Sequence, residues 1–257
     1  MADAGGAPLA GRAVLVTGGS SGIGRAIARG AARAGADVAL TFRDNEEGAR
    51  DVEQEIRRCG RRAIVLQLDL TDAEAVQAVG PAAKQALGRL DVWINNAGAD
   101  ILTGRAASLT PTEKLDLLLR VDLRGTILAS WEAARILGAE PDGGVIINMS
   151  WDHVLTGMSG TNPQLFAAVK GGVLAFSKSF ARSVAPKVRV NILAPGWIET
   201  AFGAGVDARV HREIAESTPL RRWGTPDDVA GAAVFLASPA ASFLTGETIH
   251  VSGGMVM

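Results

Sequence analysis

A single α/β domain, doubly wound around a mainly parallel sheet, is the fold class that this sequence of 257 residues predicts. Three observations predict it. Short apolar runs alternate with longer amphipathic segments from one end to the other, the pattern of repeated strand–helix–strand units. No linker-like stretch or internal repeat divides the chain. A glycine-rich turn joins the first apolar run to the first amphipathic segment, as where a parallel sheet receives a ligand beyond the carboxyl ends of its strands.

The elements follow in order. "AVLVTG" (13–18) is a buried strand. "GIGRAIARGAARAGA" (22–36) is a helix with Ile23, Ala26, Ile27 and Gly30 or Ala31 on one face. "DVALTF" (37–42) is the second strand, and "NEEGARDVEQEIRRCG" (45–60) a helix started by Asn45 and stopped by Gly60. A strand "AIVLQLDL", a helix "TDAEAVQAVGPAAKQALG" and a strand "LDVWINNAG" come next. A long helical stretch over about 112–137 leads to the strand "GVIINMS". A helix over about 163–184 precedes "VRVNILAPG", and a helix near 226–236 precedes the last strand, "TIHVSGG".

Composition narrows the function classes. The chain is 47% hydrophobic and 21% charged, enough to bury a large core, and its formal net charge of −1 gives no reason to expect a nucleic-acid partner. The single cysteine, Cys59, excludes an intrachain disulfide. No apolar run spans a bilayer, and "MADAGGAPLAG" lacks the basic and apolar regions of a signal peptide. A soluble, cytoplasmic protein is expected, with a flexible tail at 1–10 and one domain over 11–257. No metal-ligand set is expected.

The turn "TGGSSGIG" (17–24) carries the first chemistry. Gly18, Gly22 and Gly24 let the backbone turn tightly and approach a pyrophosphate, and the helix behind them presents free N–H groups and the positive end of its dipole. The same turn without a ligand would serve close packing of helix on strand. Its setting between strand and helix favours nucleotide binding.

"TGGSSGIG", "NNAG" (95–98), "VRVNILAPG" (188–196) and "SGG" (252–254) stand in the order that resembles the classical short-chain dehydrogenase/reductase family, over nearly the whole chain. The resemblance implies a Rossmann-like sheet of seven strands, a nicotinamide dinucleotide and a small-molecule substrate. It implies that Ser20, Ser21 and Ile23 line the phosphates and ribose. Asp69, with Leu70 beside it, would receive the adenine amino group, or Asp69 could simply be an acid ahead of Thr71 at a helix start. Asn95, Ala97 and Gly98 would sit beside the ribose and nicotinamide. Pro195, Gly196, Ile198 and Thr200 would hold the nicotinamide amide, although Pro195–Gly196 also reads as a plain turn. The resemblance places a substrate lid at about 200–224, whose glycines suggest mobility. It also implies a homotetramer or homodimer built on helices around 115–137 and 164–184.

The second strand ends "TFRDN". Phe42 stands where an NAD-preferring relative would carry an acid, and Arg43 follows it, suited to a 2′-phosphate. Asp44 could pair with Arg43 or repel that phosphate. NADP(H) is favoured over NAD(H).

The family's apparatus of Asn, Ser, Tyr and Lys is matched here only by Lys170. The Tyr position holds Phe166, which has no acidic hydrogen, and the chain contains no tyrosine at all. The Asn position is Asp122. The Ser position, counted from the strand, is Trp151, just after Ser150; counted back from Phe166 it drifts to His153, so this loop carries a small insertion. A missing general acid costs about 10²–10⁴-fold in rate. Asp152, His153, Asp122 and Lys170, with Ser150, Ser159 and Thr161 as weaker donors, are the candidates to replace it, and Trp151, Phe166 and Trp197 the candidate walls of an apolar substrate pocket. His153 could equally be an exposed loop residue, Asp122 a mere ion-pair partner, and the aromatic rings core packing. The expectation is an atypical NADP(H)-dependent reductase of a carbonyl, quinone-like or conjugated C=C compound. The alternatives are a non-redox enzyme using Asp152, His153 and Asp122, or an NADP-binding protein without catalysis.

Overall fold

The computed structural model describes residues 6–257. Residues 1–5 of the expected tail lie outside the described residues. The rest of that tail is docked: Leu9 is buried, and its N–H donates to the Ala34 carbonyl. An apolar leucine beside the end of a helix has a surface to cover, which glycine and alanine around it do not reveal.

Seven parallel strands form one sheet: β1 (Ala13–Val16), β2 (Asp37–Phe42), β3 (Ala63–Gln67), β4 (Val92–Asn95), β5 (Gly144–Met149), β6 (Val188–Pro195) and β7 (Thr248–Val251). Their order is β3-β2-β1-β4-β5-β6-β7. The chain winds outward in one direction through β3 and in the other from β4, so the topological switch lies between β1 and β4, where ligands bind in open α/β sheets. Nearly every residue of β1, β2, β4, β5 and β6 is buried, which is why these strands read as continuous apolar runs.

The helices are α1 (Gly22–Arg33), α2 (Glu46–Arg58), α3 (Ala73–Leu87), α4 (Pro111–Leu118), α5 (Thr126–Gly138), α6 (Thr161–Val184), α7 (Ala201–Ala204), α8 (Ala208–Ser217) and α9 (Pro226–Ala237). Their starts are chemically marked. Asn45 accepts from Gly48 N–H, and Asp72 from Glu74 and Ala75 N–H. Thr110 with Glu113 and Thr225 with Asp228 form capping boxes, each with proline at the first turn.

The expected helix over 112–137 is continuous but not regular. A π-helical segment, Leu119–Gly125, joins α4 to α5 and places Asp122 on the widened turn. π-Bulges of this kind occur often at functional sites, and no residue pattern announced this one. The expected lid at 200–224 contains α7 and α8, with Asp207 capping α8 through Arg209 and Val210 N–H. Trp223 anchors this segment. Its indole N–H donates to the His211 carbonyl, and its ring stacks on the His211 imidazole at 4.5 Å and meets Trp197 at 5.3 Å. Arg222 forks onto Asp228 at 2.6 and 2.9 Å, tying the end of this segment to α9.

A buried polar network binds the centre. Asn95 and Asn148 face each other in register on β4 and β5. Asn95 accepts from the Trp93 indole and donates to Asn148 Oδ1 and Ser130 Oγ; Asn148 donates to Ser177 Oγ. The group joins two strands to α5 and α6 with its donors satisfied.

Two outcomes follow. A Cβ on Gly24 would overlap the Gly18 carbonyl oxygen, which is backbone and cannot yield. Gly24→Ala is expected to destabilise the fold by about 2–4 kcal/mol, as overpacked sites do, measured by urea unfolding. Asp228 is held well below the usual carboxylate range, chiefly by its hydrogen bonds to Arg222. A depressed folded-state pKa stabilises above the unfolded value and is lost as pH falls through the folded one. Asp228→Ala is therefore expected to lower stability by about 1 kcal/mol at neutral pH. Unfolding curves should show this difference shrinking below about pH 4.

Candidate active site

The glycine turn between β1 and α1 is fastened to both neighbours. Gly18 N–H donates to Thr41 Oγ1 and Gly19 N–H to the Thr41 carbonyl, holding the turn to β2. On the other side, Asn96 Nδ2 donates to the Thr17 and Gly18 carbonyls, while Asn96 and Ala97 N–H both donate to Thr17 Oγ1. The ends of β1 and β4 are thus locked at the switch point.

A groove of about 480 Å³ opens there. Gly18, Ser20, Ser21, Gly22, Ile23 and Gly24 line one side, and Arg43, Asp69 and Leu70 line the far end. Ala97, Gly98 and Thr200 complete it. Ser21 stands before α1 in extended conformation without capping the helix, so the first N–H groups of α1 face the groove without a side-chain partner. Gly22 has φ +53°, and a Cβ on it would enter the open space toward Thr200 Cγ2, 3.7 Å away. Free helical N–H groups and a cradle that a side chain would fill fit the pyrophosphate of a dinucleotide. Asp69 Oδ1 accepts from Thr71 N–H and Oγ1, both at 2.8 Å, so the acid caps its local turn while also standing in the groove wall. Arg43 pairs with Asp44 at 2.6 Å, and both side chains are more than half exposed.

Asn95 corrects the sequence expectation. It is 3% exposed, faces the core network, and lines neither the groove nor the cavity beside it. The neighbouring Asn96 lines both. Alternation of side chains across a strand end is the physical cause, and it was the available signal: Asn95 is the last strand residue and shares its inward face with Trp93.

The groove continues past Ile23, Asn96 and Thr200 into a second cavity of about 440 Å³. Trp151, Phe166 and Trp197 line it, and Leu102, Met149 and Met158 extend the apolar surface. Pro195, Gly196 and Ile198, from the end of β6 and the turn after it, complete the wall. Its polar groups are Asn96, Ser150, Asn162, Lys170 and Thr200. Phe166 and Trp151 meet at 6.2 Å between ring centres, tilted by 54°.

Lys170 is the one ionisable side chain among the described residues of this cavity wall. Its ammonium lies 2.8 Å from Asp122 Oδ2, and the two side chains are 12% and 2% exposed. Asp122 Oδ1 accepts from Ala99 N–H at 2.8 Å, so one carboxylate joins the π-helical turn, the loop after β4 and α6. Gly98 leaves room for it: a Cβ there would stand 2.8 Å from Asp122 Oδ2. Ser150 gives its hydroxyl proton to the Lys170 carbonyl at 2.9 Å, so that hydroxyl anchors α6.

Asp152 and His153 are a second correction. Neither lines the cavity. Trp151 is extended and its ring lines the cavity; the next residues enter a short 3-10 turn, Asp152–Val154, that leaves the His153 ring 5.2 Å from the Trp151 ring, outside the cavity lining. Asp152 is buried, accepts from or shares a proton with His153 Nδ1 at 2.6 Å, and stands behind Gly196, where a Cβ would lie 2.5 Å from its Oδ2. Burial pushes the Asp152 carboxyl up, partly offset by the His153 hydrogen bond. Ser159 and Thr161 also stay out of the cavity wall.

A protein-family profile described as Enoyl-(Acyl carrier protein) reductase matches residues 18–256. Cis-4-hydroxycyclohexanecarboxylate dehydrogenase of Sinomonas cyclohexanicum is 37% identical over 255 residues, covering 97% of this chain and 98% of that protein. The 3-oxoacyl-[acyl-carrier-protein] reductase of Aquifex aeolicus is 35% identical, covering 96% and 98%. Among solved structures, a short-chain dehydrogenase of Burkholderia cenocepacia in complex with NADP superposes with a TM-score of 0.85 at 35% identity, covering 96% of this chain and 99% of that one. A 7α-hydroxysteroid dehydrogenase complexed with NADH and 7-oxo glycochenodeoxycholic acid superposes with a TM-score of 0.89 at 29% identity, covering 100% and 98%. With its strand order, its glycine turn at the switch point and this likeness along its whole length, the chain belongs to the classical short-chain dehydrogenase/reductase family of oxidoreductases.

Proposed function

We propose that the protein is an NADP(H)-dependent oxidoreductase whose substrate is reduced without an acid from the enzyme: a conjugated C=C or quinone-like compound. The observation that carries this is the cavity wall, where Phe166 and Trp151 stand beside a single ionisable group, Lys170, that is already paired with Asp122. When bound, a nicotinamide dinucleotide supplies the hydride.

Arg43 is the basis for NADP over NAD. Its pair with Asp44 is exposed, worth about 0–1 kcal/mol, and gives way readily to a phosphate that guanidinium holds in bidentate fashion. Asp69 remains suited to the adenine through its second oxygen. Lys170 has three N–H donors; Asp122 and, at 3.5 Å, the Met149 carbonyl take two and fix the ammonium in the cavity wall, where the third can hold a ribose hydroxyl. Trp151, Phe166 and Trp197 exclude water and offer flat surfaces to a flat substrate. For an enone, hydride arriving at the β-carbon moves the C=C electron pair toward the carbonyl oxygen, and the resulting enolate takes its proton from water once it leaves the cavity. A quinone accepts the hydride as a hydroquinone anion, which solvent protonates on release. Neither needs a phenol. A plain ketone would yield a strongly basic alkoxide, and the one ionisable group in the wall, Lys170, is engaged by Asp122 rather than positioned as its acid.

The experiment compares NADPH consumption with quinones, enones and simple ketones. Quinones or enones are expected to be turned over and simple ketones not. Ketones turned over as fast would overturn the proposal; NADPH bound but consumed by none would leave a cofactor-binding protein. In calorimetry, Arg43→Ala is expected to weaken NADPH binding by roughly ten- to hundredfold, the worth of a charged hydrogen bond, and to leave NADH unchanged. Phe166→Tyr alone is expected to raise ketone reduction by less than about tenfold, far short of what a positioned acid brings. Trp151 and Asp122 still differ around it, so the triple variant with Trp151→Ser and Asp122→Asn should gain more.

A further inference from the structure

The same cavity contains a donor that the hydride-transfer chemistry does not use. Lys114, on α4, is 8% exposed, and its ammonium donates to Asn162 Oδ1 at 3.4 Å. Lysine has only donors to offer, so the oxygen of the Asn162 amide must be the end turned toward it. The NH2 end is left over, and among the described residues nothing accepts from it. Asn162 is part of the cavity wall. A buried ammonium thereby orients a half-buried amide whose NH2 has no partner among the described residues.

Helical spacing sets where that donor acts. Asn162, Phe166 and Lys170 stand four residues apart on α6, hence on one face, and all three line the cavity. At ~1.5 Å per residue the outer two are about 12 Å apart along the axis, with the Phe166 ring midway. Trp151 meets that ring from the facing loop. A ligand resting on Phe166 has the cofactor end of the cavity, marked by Lys170, on one side and the Asn162 amide on the other.

Resting on the reading of the site as one for hydride transfer to a conjugated acceptor, we infer that Asn162, oriented by Lys114, is a specificity-determining residue. It selects flat ring compounds with a hydrogen-bond-accepting oxygen at the edge opposite the reacting end, as in a 1,4-quinone. Contact with the Phe166 and Trp151 rings supplies apolar affinity, and the amide supplies the discrimination, because a donor that a bound ring shuts off from water is costly without an acceptor.

The test is a binding measurement that needs no turnover. With NADP+ bound, 2,3-dimethyl-1,4-naphthoquinone and 2,3-dimethylnaphthalene are titrated against the full-length protein by quenching of tryptophan emission, Trp151 and Trp197 being in the cavity wall. The quinone is expected to bind more tightly than the hydrocarbon. Asn162→Ala and Asn162→Asp should each weaken the quinone by roughly three- to tenfold, one hydrogen bond, and leave the hydrocarbon unchanged. Lys114→Met should weaken the quinone in the same direction, since the amide loses its fixed orientation. Equal loss for both ligands would mean a packing role and overturns the inference, as does quinone binding that ignores the substitutions or fails in the wild type. Asn162-dependent binding without NADPH consumption would instead sink the hydride-transfer reading and leave this site standing.

Discussion

The buried amide network of Asn95, Asn148, Ser130 and Ser177 is the interaction on which the site depends. It clamps the adjacent strands β4 and β5 to α5 and α6. Those two helices carry the groups that matter: Asp122 sits on the π-helical turn that leads into α5, and Asn162, Phe166 and Lys170 lie along α6. A fully satisfied polar cluster in an apolar core admits few alternative arrangements, because any shift that breaks one bond strands a desolvated amide. The relative height of α5 and α6 is fixed this way, and with it the 2.8 Å approach of Lys170 to Asp122.

Above that foundation the site divides into two chemically distinct halves. The groove at the β1–β4 switch is made of backbone: glycines, an open helix terminus and side chains that hold the turn in place. The cavity beyond it is made of rings and thioethers around one neutralised ion pair. Ile23, Asn96 and Thr200 belong to both, so a molecule bound in the first half ends where the second begins.

Much of the architecture was legible in the sequence because it is written in apolar periodicity, caps and glycines. All seven strands, the glycine turn and the helix starts at Asn45 and Pro226 correspond to those signals. The positions of Lys170, Asp122 and the three aromatic residues were also readable. The misses share a cause. Asn95 against Asn96, and Trp151 against Asp152 and His153, are questions of which way one residue faces where a strand or an extended stretch ends. A shift of one residue reverses the answer. The π-helical turn at Asp122, the docking of Leu9 and the pairing of Lys114 with Asn162 depend on contacts between distant segments, which no local pattern encodes.

The ion pair of Lys170 and Asp122 has a consequence for how molecules arrive. A lone ammonium at the back of a dry pocket would project its field to the mouth and draw anions inward. Here a carboxylate at contact distance cancels most of that field within a few ångströms, leaving only a short-range dipole. The pair itself therefore adds little long-range steering, and its own contribution to the rate of capture should be nearly indifferent to the ionic strength of the surrounding solution.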